Sequence, residues 1–296
     1  HRDTNLADFF ISLAPDCRAS DMRFIDTHTH LYDEAFDNDV EEVLGRMEEA
    51  GVQKCILPAI ERAIYARQSA FAGNHKGMAF EAIGLHPTSV KGDWREEMAF
   101  VQERLARRNG AGVESCEGEP FVAIGEIGLD CYWSKEYLEE QKEVFFRQLL
   151  IAVERELPVI VHTREATEEL FDVLERVRAE LSAPYGGVPL RGVFHAWSGS
   201  PETYARLCRY SDFYVGIGGV VTYKNSGVGK RIEEIAPERI LLETDSPWLT
   251  PVPMRGKRNE SAYITFVAQK VAEVKGMELE RIAEITSRNA ELLFRI

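Results

Sequence analysis

The chain has 296 residues, 45% hydrophobic and 28% charged, with 22 Gly and 12 Pro, which is enough apolar material for a large core and excludes disorder and low complexity. The balance of 35 Lys+Arg against 49 Asp+Glu leaves a net charge of −14, which excludes a broad basic surface gripping duplex DNA through many phosphates. Contact with nucleic acid has to be local.

Residues 1–21 start at His1, and Met22 directly precedes the first strand-like run. They are expected to be an N-terminal extension, with residues 22–296 forming one domain. The short apolar run from Phe9 to Ala14 follows Asp3 and Asp8, unlike the basic start of a secretion signal, and no run reaches the length of a membrane span. The cysteines, at 17, 55, 116, 131 and 208, are odd in number, far apart and without a C-x-x-C pair, which points to a reducing cytoplasm.

From Arg23 onward, eight short apolar runs alternate with helix-like segments. The predicted strands lie at residues 24–26, 54–59, 79–84, 121–125, 159–161, 192–194, 213–217 and 240–242. Continuous apolar runs suit parallel strands covered on both faces, and residues 39–50 and 137–156 carry helical periodicity. Eight such units predict a (β/α)₈ TIM barrel, with an open doubly wound sheet as the alternative. Pro251, Pro253 and Gly256 mark a loop over residues 249–259 after the eighth strand. An additional C-terminal amphipathic helix over 278–296 is expected to pack on the outside of the barrel.

Metal-capable residues fall where these strands end. His28 and His30 follow the first strand, two apart and so on one side at a spacing of about 7 Å. Glu126, His162, His195 and Asp245 follow the fourth, fifth, sixth and eighth. In a barrel, all carboxyl ends of strands meet at one face, so the six converge on one cavity. Four histidines and two carboxylates exceed the needs of one tetrahedral zinc and suit two divalent ions. Glu243 is an acid near a strand end, expected to bond structurally or to orient a ligand.

The motifs Asp26-Thr27-His28-Thr29-His30-Leu31, Gly84-Leu85-His86-Pro87, Gly125-Glu126-Ile127-Gly128-Leu129-Asp130, Pro158-Val159-Ile160-Val161-His162-Thr163-Arg164, Phe194-His195-Ala196-Trp197-Ser198-Gly199 and Leu242-Glu243-Thr244-Asp245-Ser246-Pro247 resemble, in order, those of the TatD-type metal-dependent deoxyribonucleases of the amidohydrolase superfamily. The resemblance runs from about Arg23 to the end of the chain. It implies hydrolysis of DNA phosphodiesters, commonly from the 3′ end, at a two-metal site. His28, His30, Glu126 and Asp245 match the first metal site, and Glu126, His162 and His195 match the second, with Glu126 bridging. The chain departs from the family pattern at Thr88, at Ala196-Trp197 and at Ser261, positions where substrate is expected to be felt.

Two divalent ions would make hydroxide available near neutral pH, with Asp245 as the acid-base residue. Imidazole-rich sites suit zinc or manganese, whereas magnesium prefers oxygen ligands; any of the three is compatible with this donor set. Expected substrate contacts are His86, Arg164, Trp197, Lys257 and Arg258, against single-stranded DNA or frayed ends. Each also has a plainer reading: a structural histidine for His86, a pair with Glu165 or Glu168 for Arg164, pocket wall for Trp197, and solvated charge for the cations. No membrane and no obligate protein partner are expected. The alternative function is hydrolysis of another ester or amide, such as an aminoacyl-tRNA ester or a lactone.

Overall fold

Eight parallel strands pair in chain order: β1 (Phe24–Asp26), β2 (Val52–Leu57), β3 (Ala79–Ile83), β4 (Ala123–Asp130), β5 (Val159–Arg164), β6 (Gly192–Phe194), β7 (Tyr214–Ile217) and β8 (Ile240–Leu242). This computed structural model describes residues 22–110, 118–181 and 190–296; the expected extension at 1–21 lies outside the described residues. Between the strands run α1 (Val40–Glu49), α2 (Tyr65–Asn74), α3 (Trp94–Arg108), α4 (Leu138–Glu154), α5 (Thr167–Leu181), α6 (Pro201–Leu207) and α7 (Val228–Ile232). After β8 come α8 (Ile264–Lys275) and α9 (Leu279–Phe294). No helix among the described residues is long and apolar enough to cross a membrane.

Local chemistry sets these elements. In α1, Val43 and Met47 face inward, with Glu41 and Glu42 in the first turn and Arg46 in the last, the charge order that the helix dipole favours. Pro201 opens α6, and the Ser200 hydroxyl accepts the Thr203 N–H, the usual cap chemistry.

The circle closes between β1 and β8. The Thr27 N–H and hydroxyl both donate to the Leu242 carbonyl, at 3.1 and 3.0 Å, and Thr29 bridges Ser246 in parallel. This closure gives the (β/α)₈ barrel and excludes the open doubly wound sheet.

Inside the barrel, Ile25, Ile56, Ala82, Ala123, Ile160, Val193 and Leu241 form one cluster, one residue from each of seven strands. Their neighbours in sequence, such as Phe24 and Val161, join the larger layer under the helices, as the two-residue strand period requires.

Ala290, Leu293 and Phe294 of α9 belong to the same interior cluster, which corrects the expectation that this helix packs outside the barrel. Two of the seven interior positions are alanine, and Leu293 and Phe294 supply the volume that those small side chains leave. The helix is pinned to the strand starts: the Ser287 hydroxyl donates to the Arg23 carbonyl at 2.8 Å, and the Asn289 amide donates to the Pro237 and Ile240 carbonyls at 2.9 Å each. Helix α9 is therefore the floor of the barrel, opposite the carboxyl ends of the strands.

Removing a buried phenyl ring leaves a cavity that its surroundings only partly refill. Phe294→Ala is expected to lower the free energy of unfolding by about 3–5 kcal/mol, measured by urea denaturation. An unchanged midpoint would show that α9 is not part of the core.

Candidate metal centre

The β1–β8 seam continues past the strands and sets three of the candidate ligands. The Asp245 N–H donates to the His28 carbonyl, and the His30 N–H to the Ser246 carbonyl, both at 2.8 Å. Beneath them the Asp26 carboxylate accepts the Thr244 N–H at 3.0 Å and the Thr244 hydroxyl at 2.6 Å. Burial pushes the Asp26 carboxyl up to about 7, opposed in part by hydrogen bonds from Thr244 and Ser261. Asp245 itself has φ of 56°, a left-handed conformation that aspartate and asparagine tolerate better than most residues.

Glu126 reaches the centre through an irregularity in β4. The register with β5 shifts between Ile124 and Ile127, and the backbone groups of Gly125 and Glu126 bond to Ala59 instead, at 3.0 and 2.9 Å. A bulge of this kind re-aims a side chain. Glycine is required at 125, since a Cβ there would lie 2.6 Å from that of Ile160. His162 lies within β5, and His195 follows β6 with its N–H on the Val161 carbonyl at 3.0 Å.

The Glu126 carboxylate is the hub. His28 Nε2 lies 3.2 Å from Oε2, while His86 Nε2, His162 Nδ1 and His195 Nε2 lie 3.2, 3.1 and 2.8 Å from Oε1. Asp245 Oδ1 is 3.6 Å from His28 Nε2 and 3.5 Å from His30 Nε2. All six sequence-derived candidate ligands thus meet at one place.

Two of the histidines are held from behind by hydrogen bonds, and a carboxylate stands behind a third. Tyr32 donates its hydroxyl proton to the Pro58 carbonyl at 2.5 Å, so the 2.8 Å contact between its oxygen and His30 Nδ1 requires the proton to be on Nδ1, leaving Nε2 free for a metal. Asp130 Oδ2 lies 2.9 Å from His162 Nε2, turning Nδ1 toward Glu126. Glu243 Oε1 lies 3.6 Å from His195 Nδ1, on the side of the ring away from Glu126. Carboxylate and hydroxyl partners behind ligating imidazoles fix tautomer and ring orientation. Tyr32 and Asp130 were missed in the sequence because each acts through a histidine that only the fold places beside it.

The electrostatics suit a cation. Burial alone would raise Glu126, but the imidazoles of His195, His86 and His28 outweigh it and hold the carboxyl well below its usual range. Asp245 is likewise held low by His30, His28 and His195 against its burial. Burial lowers His28 and His86. His195 is driven well above the usual imidazole value, since Glu126 and Glu243 overcome its desolvation. His162 is raised by Asp130 and Glu126 in the same way.

Both ring nitrogens of His28 are buried without a hydrogen-bond partner. Donor atoms of His28, His195 and Asp245, of His28, His30 and Glu126, and of His86, Glu126 and His162 lie within 4.8 Å of one another in each trio. An orphaned buried imidazole among anionic carboxylates is a set that divalent ions fit.

The centre opens into a cavity of about 600 Å³. His86 lines it, with Nδ1 accepting the Thr88 N–H at 3.1 Å, so Nε2 carries the proton toward Glu126. Thr88, one departure from the family pattern, supports that arrangement. Arg164 also lines the cavity; its guanidinium lies 3.5 Å from the Tyr132 ring, and Glu168 pairs with Arg206.

The remaining expected contacts are placed elsewhere. Trp197 is buried against Phe194 and Tyr204, outside the cavity lining. Ser261 is fully buried behind the site, its hydroxyl 3.4 Å from that of Thr29. Arg258 donates to both carboxylate oxygens of Asp39, at 2.8 and 2.6 Å, which ties it to the start of α1. Lys257 is exposed and outside the cavity lining.

Residues 25–295 match the model of the TatD-related DNase family. The chain is 39% identical over 272 residues to YabD of Bacillus subtilis, an uncharacterized metal-dependent hydrolase, covering 92% of this chain and 98% of that one. It is 30% identical over 280 residues to the 3′-5′ ssDNA/RNA exonuclease TatD of Erwinia tasmaniensis, covering 92% and 99%. The crystal structure of YjjV, a TatD homologue of Escherichia coli, superposes with a TM-score of 0.79 at 30% identity, covering 93% and 99%.

Metal ions and protons compete for the same lone pairs, and the carboxylates of Glu126, Asp130 and Glu243 raise the proton affinity of His162 and His195 against their burial. Loading with Zn²⁺ at pH 7 is therefore expected to release about one proton per chain or more, and affinity should weaken as pH falls. Calorimetry in two buffers of different ionisation enthalpy reads this; buffer-independent heats would show the imidazoles already neutral. Glu126→Ala should lower metal content, measured by elemental analysis, and full occupancy would remove Glu126 from the ligand set.

Proposed function

Because this chain belongs to the TatD-related DNase family and is a metal-dependent hydrolase, we propose that it cleaves DNA phosphodiesters from the 3′ end of unpaired strands, with two divalent ions at the Glu126 centre. The observation carrying this reading is Arg164. It is the single lysine or arginine among the described residues lining the cavity, placed where a guanidinium can take two oxygens of one phosphate. The Erwinia relative, named a 3′-5′ ssDNA/RNA exonuclease, supports the direction and the substrate.

His28, His30, Glu126 and Asp245 would hold one ion, and Glu126, His162 and His195 the other. Bound there, divalent ions lower the pKa of water toward neutrality and offset charge on phosphate oxygens. Asp245, kept ionised by its histidine neighbours, accepts the proton of the attacking water as the new P–O bond forms. The same proton then goes to the 3′ oxygen as its bond to phosphorus breaks. His86 presents an Nε2–H to a non-bridging phosphate oxygen, and Arg164 holds the strand at the rim.

The cavity also presents Ile60, Val220 and Leu249, and this apolar wall favours a second reading, hydrolysis of a smaller ester such as a lactone or an aminoacyl-tRNA bond. Assay of the metal-replete protein on end-labelled single-stranded DNA, charged tRNA and a lactone panel separates the two. Ester turnover without DNA degradation would replace the first reading by the second.

Asp245→Asn keeps the backbone conformation and removes the base; turnover is expected to fall by about 10² or more with the fold retained by circular dichroism. Near-normal turnover at full metal occupancy would leave Asp245 no role in proton transfer. Arg164→Ala should weaken DNA binding and flatten the log-log salt dependence by about 0.7 per lost phosphate contact. An unchanged slope would place the strand elsewhere.

A further inference from the structure

Large aromatic side chains exposed together are unusual on a soluble domain, and two stand at the mouth of this cavity. Trp133 is 71% exposed and Trp248 47%, and both line the cavity that contains Glu126 and Arg164. Trp133 follows β4 and Trp248 follows β8. In a closed eight-stranded barrel paired in chain order, strands four apart face each other, so the two loops stand across the opening.

Neither ring is on a loose loop. Asp130 Oδ1 accepts the N–H groups of Tyr132 and Trp133, at 2.9 and 3.3 Å, while its other oxygen faces His162. The fully buried Asn259 donates its amide to the Trp248 carbonyl at 2.6 Å and to the Thr244 carbonyl at 2.8 Å. The Trp248 ring packs edge-on to His30, with centroids 5.0 Å apart. On the far side, Trp133 packs edge-on to Tyr132 at 4.9 Å, and the Arg164 guanidinium sits 3.5 Å from Tyr132 and 5.5 Å from Trp133. A phosphate contact and an aromatic face are thus adjacent on one rim, and an aromatic face and the candidate ligands are adjacent on the other.

We propose that Trp133 and Trp248 are stacking surfaces for unpaired nucleobases on either side of the phosphate being cut, so that an unstacked base, not its sequence, selects the substrate. The inference rests on the phosphodiesterase reading above. Every base has a flat π face, so stacking tolerates any sequence, whereas the bases of a duplex end are already stacked and paired. Loops anchored before binding lose little freedom when a base arrives. Stacking also supplies attraction that a protein of net charge −14 cannot draw from its overall field.

The test uses the metal-loaded protein and single-stranded oligonucleotides that carry either thymine or an abasic residue at the 3′ terminus. The wild type is expected to process the base-bearing end at least about 5-fold better in kcat/KM, mostly through KM. That preference should fall to near 1 in the Trp133→Ala/Trp248→Ala double variant and return in the corresponding double Phe variant. In parallel, thymidine monophosphate should quench wild-type tryptophan fluorescence where deoxyribose phosphate does not. Equal handling of both ends by the wild type, or a preference that survives the double Ala change, overturns the stacking assignment and leaves the nuclease reading intact. Quenching specific to the base, with no oligonucleotide cleaved under any metal, keeps the stacking surfaces and overturns the nuclease reading.

Discussion

A single carboxylate with four imidazoles around it organises the upper half of this barrel. Glu126 is almost completely buried, and a buried charge is tolerated only where partners compensate its desolvation. Those partners come from the segment after β1, from the loop after β3, from β5 and from the segment after β6, so satisfying one residue brings five strands, β4 included, into a fixed relation. The bulge at Gly125 and Glu126, the continued pairing of β1 with β8 and the bonds to Ala59 all serve that convergence. The same arrangement leaves the centre rich in lone pairs and negative charge once protons depart, which is the condition a divalent cation requires.

The histidines divide by what stands behind them. His30 and His162 each have an oxygen within hydrogen-bond distance of the ring nitrogen away from the centre, supplied by Tyr32 and Asp130, and the Glu243 carboxylate stands 3.6 Å behind His195. His86 is oriented the opposite way, because a backbone N–H occupies its rear nitrogen and the proton is left in front. One type of side chain therefore serves as electron-pair donor at some positions and proton donor at another, and the choice is made by the residue behind the ring.

Much of this was legible in the sequence. Short apolar runs ended by His, Glu or Asp mark strand tips in a repeating unit, and the barrel brings tips together irrespective of separation along the chain. That logic reached His28, His30, Glu126, His162, His195 and Asp245, and also Glu243. It could not reach Tyr32 or Asp130, whose importance depends on which neighbour the fold gives them. It did not anticipate the partner of Arg258, because a cluster of charge on a loop says nothing of the Asp39 carboxylate that meets it at the start of α1. Trp197 follows a strand end as Trp248 does, yet one turns under the helices and the other toward solvent, a difference of side-chain direction that periodicity does not carry beyond the end of a strand. The amphipathic stripe of α9 was legible as well, but a stripe records only that something apolar lies opposite, and here it is the barrel interior.

That last placement has a consequence for how the chain is made. Synthesis proceeds from β1 toward α9, yet the interior cluster includes Ile25 at one end and Phe294 at the other, and the Ser287 hydroxyl holds the carbonyl of Arg23 across 264 positions. While α9 is still within the ribosome, every strand can already have emerged, but the barrel has no floor and its lowest apolar layer faces water. Contacts of such long sequence separation form late and slowly. The nascent chain therefore carries its candidate metal ligands, all of them upstream of residue 246, before it has the helix that seals the barrel beneath them.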